Sequence, residues 1–96
     1  MTADDRPFSI VRIAPSAASY LRRLPRPQQQ AIAAAFDHLC NISPFQHPNP
    51  TTIRPLAGKY KGLWRYRADD IRIIYDVDTV QRTIRIVAID SRGNVY

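Results

Sequence analysis

Apolar positions along this chain recur first with a helical period and then with a strand period. Phe8 to Ile13 is a short apolar run ending before Pro15, which predicts a first strand. From Pro15, a favoured first helical residue, Ala17, Tyr20, Leu21 and Leu24 recur at three- and four-residue spacing until Pro25 stops the helix. Pro27 opens a second helix, in which Ile32, Ala35, Phe36, Leu39 and Cys40 line one face. So short a connection predicts an antiparallel helical hairpin. Pro44, Pro48, Pro50 and Pro55 then interrupt regular structure, and Ser43 to Arg54 reads as an irregular loop.

Beyond the loop the period becomes two. Strands are predicted at about Gly62–Arg67, Ile71–Val77 and Thr83–Ile89, joined by short polar turns that favour consecutive antiparallel hairpins. Alternation in the middle strand puts Ile71, Ile73 and Tyr75 on one face and Arg72, Ile74 and Asp76 on the other. The first face is expected to meet the helices. That aims Arg72 at the open face, beside whichever of Arg65 and Arg67 share it. The element order β-α-α-β-β-β predicts a single α+β domain over residues 1–96, with a helical hairpin on one face of a small, largely antiparallel sheet.

Charge sharpens this reading. Fourteen Arg and Lys against eight acids give +6, and five cations (Arg54, Lys59, Lys61, Arg65, Arg67) fall between Ile53 and Arg67 without an acid. Such a segment suits a polyanion or an acidic protein partner. The alternative is a solvated surface from an arginine-biased genome, since twelve of the fourteen cations are Arg and all eight acids are Asp. Cys40 is the sole cysteine, so no internal disulfide forms and a reducing compartment is expected; its place on the apolar stripe reads as core. No run of 18 apolar residues occurs and the first residues are polar, so no membrane span or signal peptide is expected and the location is read as cytoplasmic.

Familiar catalytic constellations are missing: no Ser-His-Asp set, no His/Cys metal spacing, no Walker loop. No metal or cofactor is therefore expected. His38 is placed on the polar face of its helix and His47 in the exposed loop. What remains is a cluster of Arg, Lys and aromatic side chains. Guanidinium groups bind phosphate oxygens through a two-pronged fork and hold charge on a phosphorane-like transition state. Trp64 either stacks on a splayed base or belongs to the core, and Tyr60 and Tyr66 are open in the same way. Arg72 either serves such a site or pairs with Asp76 or an acid across the sheet. Lys59, Lys61 or Tyr96 could act as a base only with a pKa lowered by neighbouring cations.

Four segments resemble the core motifs of the RelE/ParE toxins of bacterial type II toxin–antitoxin pairs. They are Pro55-Leu56-x-Gly58, Gly62-Leu63-Trp64-Arg65-Tyr66-Arg67, Asp70-Ile71-Arg72-Ile73-Ile74-Tyr75 and Arg92-x-x-Val95-Tyr96. The resemblance implies a RelE-like toxin neutralised by a cognate antitoxin, expected to be a small acidic protein. It further implies a ribosome-dependent mRNA endonuclease, working without metal by attack of an RNA 2′-OH on the scissile phosphate. Arg72 would then stabilise that phosphate, Arg92 would assist it or the leaving group, and Tyr96 would orient the mRNA. Arg65 would add charge from the preceding strand, with Lys59, Lys61, Arg67 and Trp64 contacting RNA. Leu63 stands where a RelE strand carries lysine, and Ser91-Arg92-Gly93 stands where many members carry His-Arg-Arg. Two alternatives are therefore kept: a ParE-like protein that blocks DNA gyrase without catalysis, and a member that only binds its antitoxin.

Overall fold

A computed structural model of the chain describes residues 7–91. In order they form β1 (Ser9–Ile13), α1 (Pro15–Arg23), α2 (Arg26–Asn41), β2 (Ile53–Pro55), β3 (Trp64–Ala68), β4 (Ile71–Asp78) and β5 (Thr83–Ser91). The helices start with Pro in their first turns, where the missing N–H is not needed, and α1 ends at Arg23, just ahead of Leu24-Pro25. The five strands lie in the order β1-β5-β4-β3-β2. All neighbours are antiparallel except β1 and β5, which pair in parallel, and the helical hairpin carries the chain from β1 to β2 at the opposite edge of the sheet. The α+β architecture expected from the periodicity is thus present.

The expected loop from Ser43 to Arg54 is only partly irregular. Its last residues open β2, which pairs Ile53, Arg54 and Pro55 with Tyr66, Arg65 and Trp64. Three residues are too few for periodicity to register, and Pro55 is tolerated because β2 is an edge strand. The rest of the loop is held by local bonds: Ser43 Oγ accepts from the Phe45 and Gln46 amides, and Asn49 Oδ1 accepts from the Thr51 amide and hydroxyl. The β3–β4 turn is made by Asp69 and Asp70, Asp69 taking a φ of 55° that Asp tolerates better than most residues. The β4–β5 turn is tied by Asp78, whose Oδ1 accepts from the Val80 and Gln81 amides.

Buried residues form one cluster between the helices and the sheet. Ala17, Ile32, Ala35 and Leu39 come from the helices, and Ile53, Tyr66, Ala68, Ile71, Ile73, Tyr75, Ile84, Ile86 and Ile89 from the strands. Ile74 points to the other face, as the alternation requires, yet it is only 1% exposed between its register neighbours Arg65 and Ala88. His38 departs from expectation: it is buried, and its Nε2–H donates to the Gln46 carbonyl at 2.7 Å. A carbonyl only accepts, so this bond fixes the proton on Nε2 and recruits a polar residue into the core. Cys40 is half-buried, and loss of solvation pushes its thiol pKa up, which leaves it a poor nucleophile.

Tyr75 locks the loop to the sheet: its buried hydroxyl donates to the Pro44 carbonyl at 2.7 Å. Burial first, then the neighbouring Tyr66, raises its pKa well above the ordinary tyrosine value. Replacing Tyr75 by Phe leaves that carbonyl unpaired, with an expected cost of about 1–3 kcal/mol in urea unfolding. The raised folded-state pKa means that stability is full below the unfolded tyrosine value of about 10 and declines above it. Unfolding followed across the alkaline range should show that decline reduced in Tyr75→Phe, with the part due to burial of Tyr66 remaining.

Candidate functional site

The open face of the sheet carries guanidinium groups set against one another. Register places Arg54 opposite Arg65 and Arg67 opposite Arg72. Toward the β1 edge of the same face it places Arg12 opposite Arg85. Like charges directly opposite across strands destabilise a sheet, so three such pairs on one face concentrate positive potential at a cost in stability. Among the described residues, register sets two acids against arginines of this face. Asp76 forms an ion pair with Arg85, and Asp90 stands opposite Arg72 in register.

Each cation is placed differently. Arg65 is half-buried, and its guanidinium donates to the Thr51 carbonyl, so the loop ending at β2 fixes that side chain. Its Nε is buried without a hydrogen-bond partner. Arg72 is half-buried on the middle strand, close to the β3–β4 turn, while Arg54 and Arg67 are exposed. The structure therefore brings Arg65, Arg67 and Arg72 together, and adds Arg54. Arg92 and Tyr96 lie outside the described residues.

Lys59 and Lys61 are not part of this cluster. They occupy the 3₁₀ turn at Gly58–Tyr60 and the residue after it, at the opposite end of β3 from Arg67. Lys59 Nζ instead sits 5.4 Å from the centre of the Tyr60 ring. Trp64 corrects the expectation of a stacking platform beside the arginines. It alternates with Tyr66 and Ala68 on the helix side, packs on the core, and has its ring centre 4.9 Å from that of Phe45. Of the two readings of this residue, the core one matches its position. Arg12 and Arg85 were missed as members of the face; the signal lay in Arg85 between Ile84 and Ile86 on one strand.

The chemistry available follows from these positions. The face can bind phosphate oxygens in several places at once, with groups that stay cationic at neutral pH. Histidine is elsewhere: the His38 and His47 rings are tilted against each other with centres 4.6 Å apart, and both flank Tyr66, on the helix side of the sheet. Proton transfer near Arg72 among the described residues would therefore fall to a carboxylate, and Asp90 is the one set opposite it. Among the described residues no three His, Cys, Asp or Glu side chains converge as metal ligands. No helix among them is long and apolar enough to cross a membrane.

Known proteins share this scaffold. A chain of the toxin–antitoxin complex RelBE2 from Mycobacterium tuberculosis is 24% identical over 93% of this chain and 95% of its own, with a TM-score of 0.72. The archaeal RelE–RelB complex from Pyrococcus horikoshii gives 24% identity over 94% and 98%, with a TM-score of 0.70. A YoeB/ParE toxin from Agrobacterium tumefaciens gives 16% identity over 88% and 98%, with a TM-score of 0.72. At these identities the likeness establishes the fold. No curated protein sequence matches the chain. Residues 11–96, however, match the family described as the ParE toxin of the type II toxin–antitoxin system parDE. With nearly its whole length matched and the RelE-like fold in place, the chain belongs to the RelE/ParE superfamily of type II toxins.

Proposed function

We propose that this toxin binds RNA across its open sheet face and cleaves mRNA on the ribosome. The observation that carries the reading is the opposition of Arg54 to Arg65 and of Arg67 to Arg72, an arrangement unfavourable for the fold alone and suited to a polyanion. In this reading Arg72, half-buried on the middle strand, holds the scissile phosphate. Arg65, already fixed by the Thr51 carbonyl, meets the charge that develops on its oxygens without having to reorganise. The RNA 2′ oxygen forms a bond to phosphorus as the bond to the 5′ oxygen breaks. The proton lost by the first oxygen balances the one gained by the second, leaving a cyclic phosphate and a 5′-hydroxyl. Arg92 and Tyr96 would complete the site.

The partner that silences it is expected to be an acidic antitoxin, in keeping with the +6 charge of the chain and with the toxin–antitoxin complexes that share its fold. In this reading its action is cytoplasmic, where ribosomes and mRNA are found. A second reading is inhibition of DNA gyrase without catalysis. It is favoured by the match to ParE toxins and by the absence of histidine from the open face of the described residues.

The two separate in a cell-free translation reaction read by primer extension. Cuts in register with codons that require ribosomes are expected, and Arg72→Ala should reduce them by about 10²–10³-fold. Intact mRNA together with relaxed plasmid in a gyrase supercoiling reaction would move the assignment to the second reading. Replacing Arg67 by Thr relieves a like-charge pair. It should raise unfolding stability by about 0.2–1 kcal/mol while weakening RNA binding; a fall in both would show that Arg67 serves the fold.

A further inference from the structure

At the β1 end of the open face a groove of about 330 Å³ opens among Arg12, Ala14, Leu63, Asp76, Arg85 and Val87. Its polar floor holds two guanidiniums in register and one carboxylate, and that carboxylate is bound to Arg85. Arg12 is exposed, and its side chain makes no hydrogen bond or ion pair with another described residue. The groove therefore keeps an uncompensated positive charge.

Its walls are apolar for an identifiable reason. Ile74 pairs with Ala88 and Tyr75 with Ile86, so Val87 is an extra residue on β5 with no partner on β4. Such a bulge re-aims a side chain, and Val87 is left 41% exposed. Leu63 faces it from the end of the β2–β3 connection, just after Gly62 turns the chain at a φ of 97°. An exposed valine beside an exposed arginine is costly to solvate and well matched to a ligand with both a flat apolar face and a phosphate.

We propose that this groove is a second nucleotide subsite for single-stranded RNA. Phosphate would lie on Arg12 and Arg85, and a base or ribose would lie against Leu63 and Val87. The proposal rests on the RNA-binding reading above and extends it along the strand. Asp76, opposite Arg85, lies four residues from Arg72 on β4, roughly 13 Å at the usual rise. One phosphate cannot span both places, whereas a short run of nucleotides crossing the sheet reaches both. Charge complementarity selects a polyanion, and the narrow apolar slot beside the charge selects one with rings.

The test is fluorescence anisotropy with a 2′-O-methyl RNA hexamer that cannot be cleaved, titrated at several salt concentrations. Arg12→Glu should weaken binding and lower the salt slope by at least about 0.7, the share of one single-strand phosphate contact. Val87→Ser should weaken binding with the slope unchanged, because it removes only apolar contact. Both positions are exposed, so neither variant should lose thermal stability: Val87→Ser should match the parent and Arg12→Glu, which relieves the opposition to Arg85, should match or exceed it, which separates binding from folding. An unchanged slope in Arg12→Glu, with binding lost in Arg72→Ala, overturns the subsite and leaves the RNA reading standing. Binding of the hexamer by no form of the protein overturns both. Loss in Arg12→Glu of binding to the acidic antitoxin alone overturns the subsite by making the groove a protein contact.

Discussion

Burial of Ile71, Ile73 and Tyr75 on the helix side of β4 fixes where every cation on the sheet points. A slip of one residue would turn that buried set to solvent and carry Arg72 into the core, so the register is strongly held. Tyr75 adds a second restraint through its bond to Pro44, tying the long loop to the strand that carries Arg72. The same loop ends at Thr51 and β2, which hold Arg65 and set Arg54 opposite it. Core, loop and cationic face are thus one mechanical unit: residues that look remote from the arginines decide their geometry.

The cationic face runs against the interests of the fold. Cross-strand pairs ordinarily stabilise a sheet, yet here three of them set arginine against arginine. A chain this small has little stability to spare, so a partner that neutralises the face would stabilise the folded toxin as well as silence it. Charge reversal across the sheet is nearly absent; Asp76 and Asp90 are the acids that register sets against its arginines. That imbalance connects the electrostatics of the fold to both of its expected partners, nucleic acid and an acidic antitoxin.

Much of this was legible in the sequence, for reasons specific to each element. The helical hairpin followed from apolar spacing and from Pro15, Pro25 and Pro27; the β3–β4–β5 meander followed from alternation and Asp-rich turns. Alternation also placed Arg72 on the open face. β2 was not legible, since three residues flanked by proline show no period and are strand only because β3 is beside them. His38 was misplaced because its burial depends on how the loop after α2 folds back to offer it the Gln46 carbonyl, which helical periodicity does not encode. Trp64 is flanked by cations in sequence but lies on the opposite side of the sheet from Arg65, and only the choice of face by Tyr66 and Ala68 decides that. The Arg12–Arg85 pair required the parallel register of β1 and β5, which no local signal encodes.

The central claim is that the open sheet face, and not the helical hairpin or the aromatic cluster, meets RNA. Nuclear magnetic resonance is the direct measurement: the uncleavable hexamer is added to labelled toxin while arginine Nε–H and indole signals are followed. Trp64 is the sole tryptophan, so its indole resonance is unambiguous. The account predicts shifts at Arg54, Arg65, Arg67 and Arg72 with the Trp64 indole unmoved. Shifts at Trp64 and along α2, with the arginine signals unchanged, would contradict it.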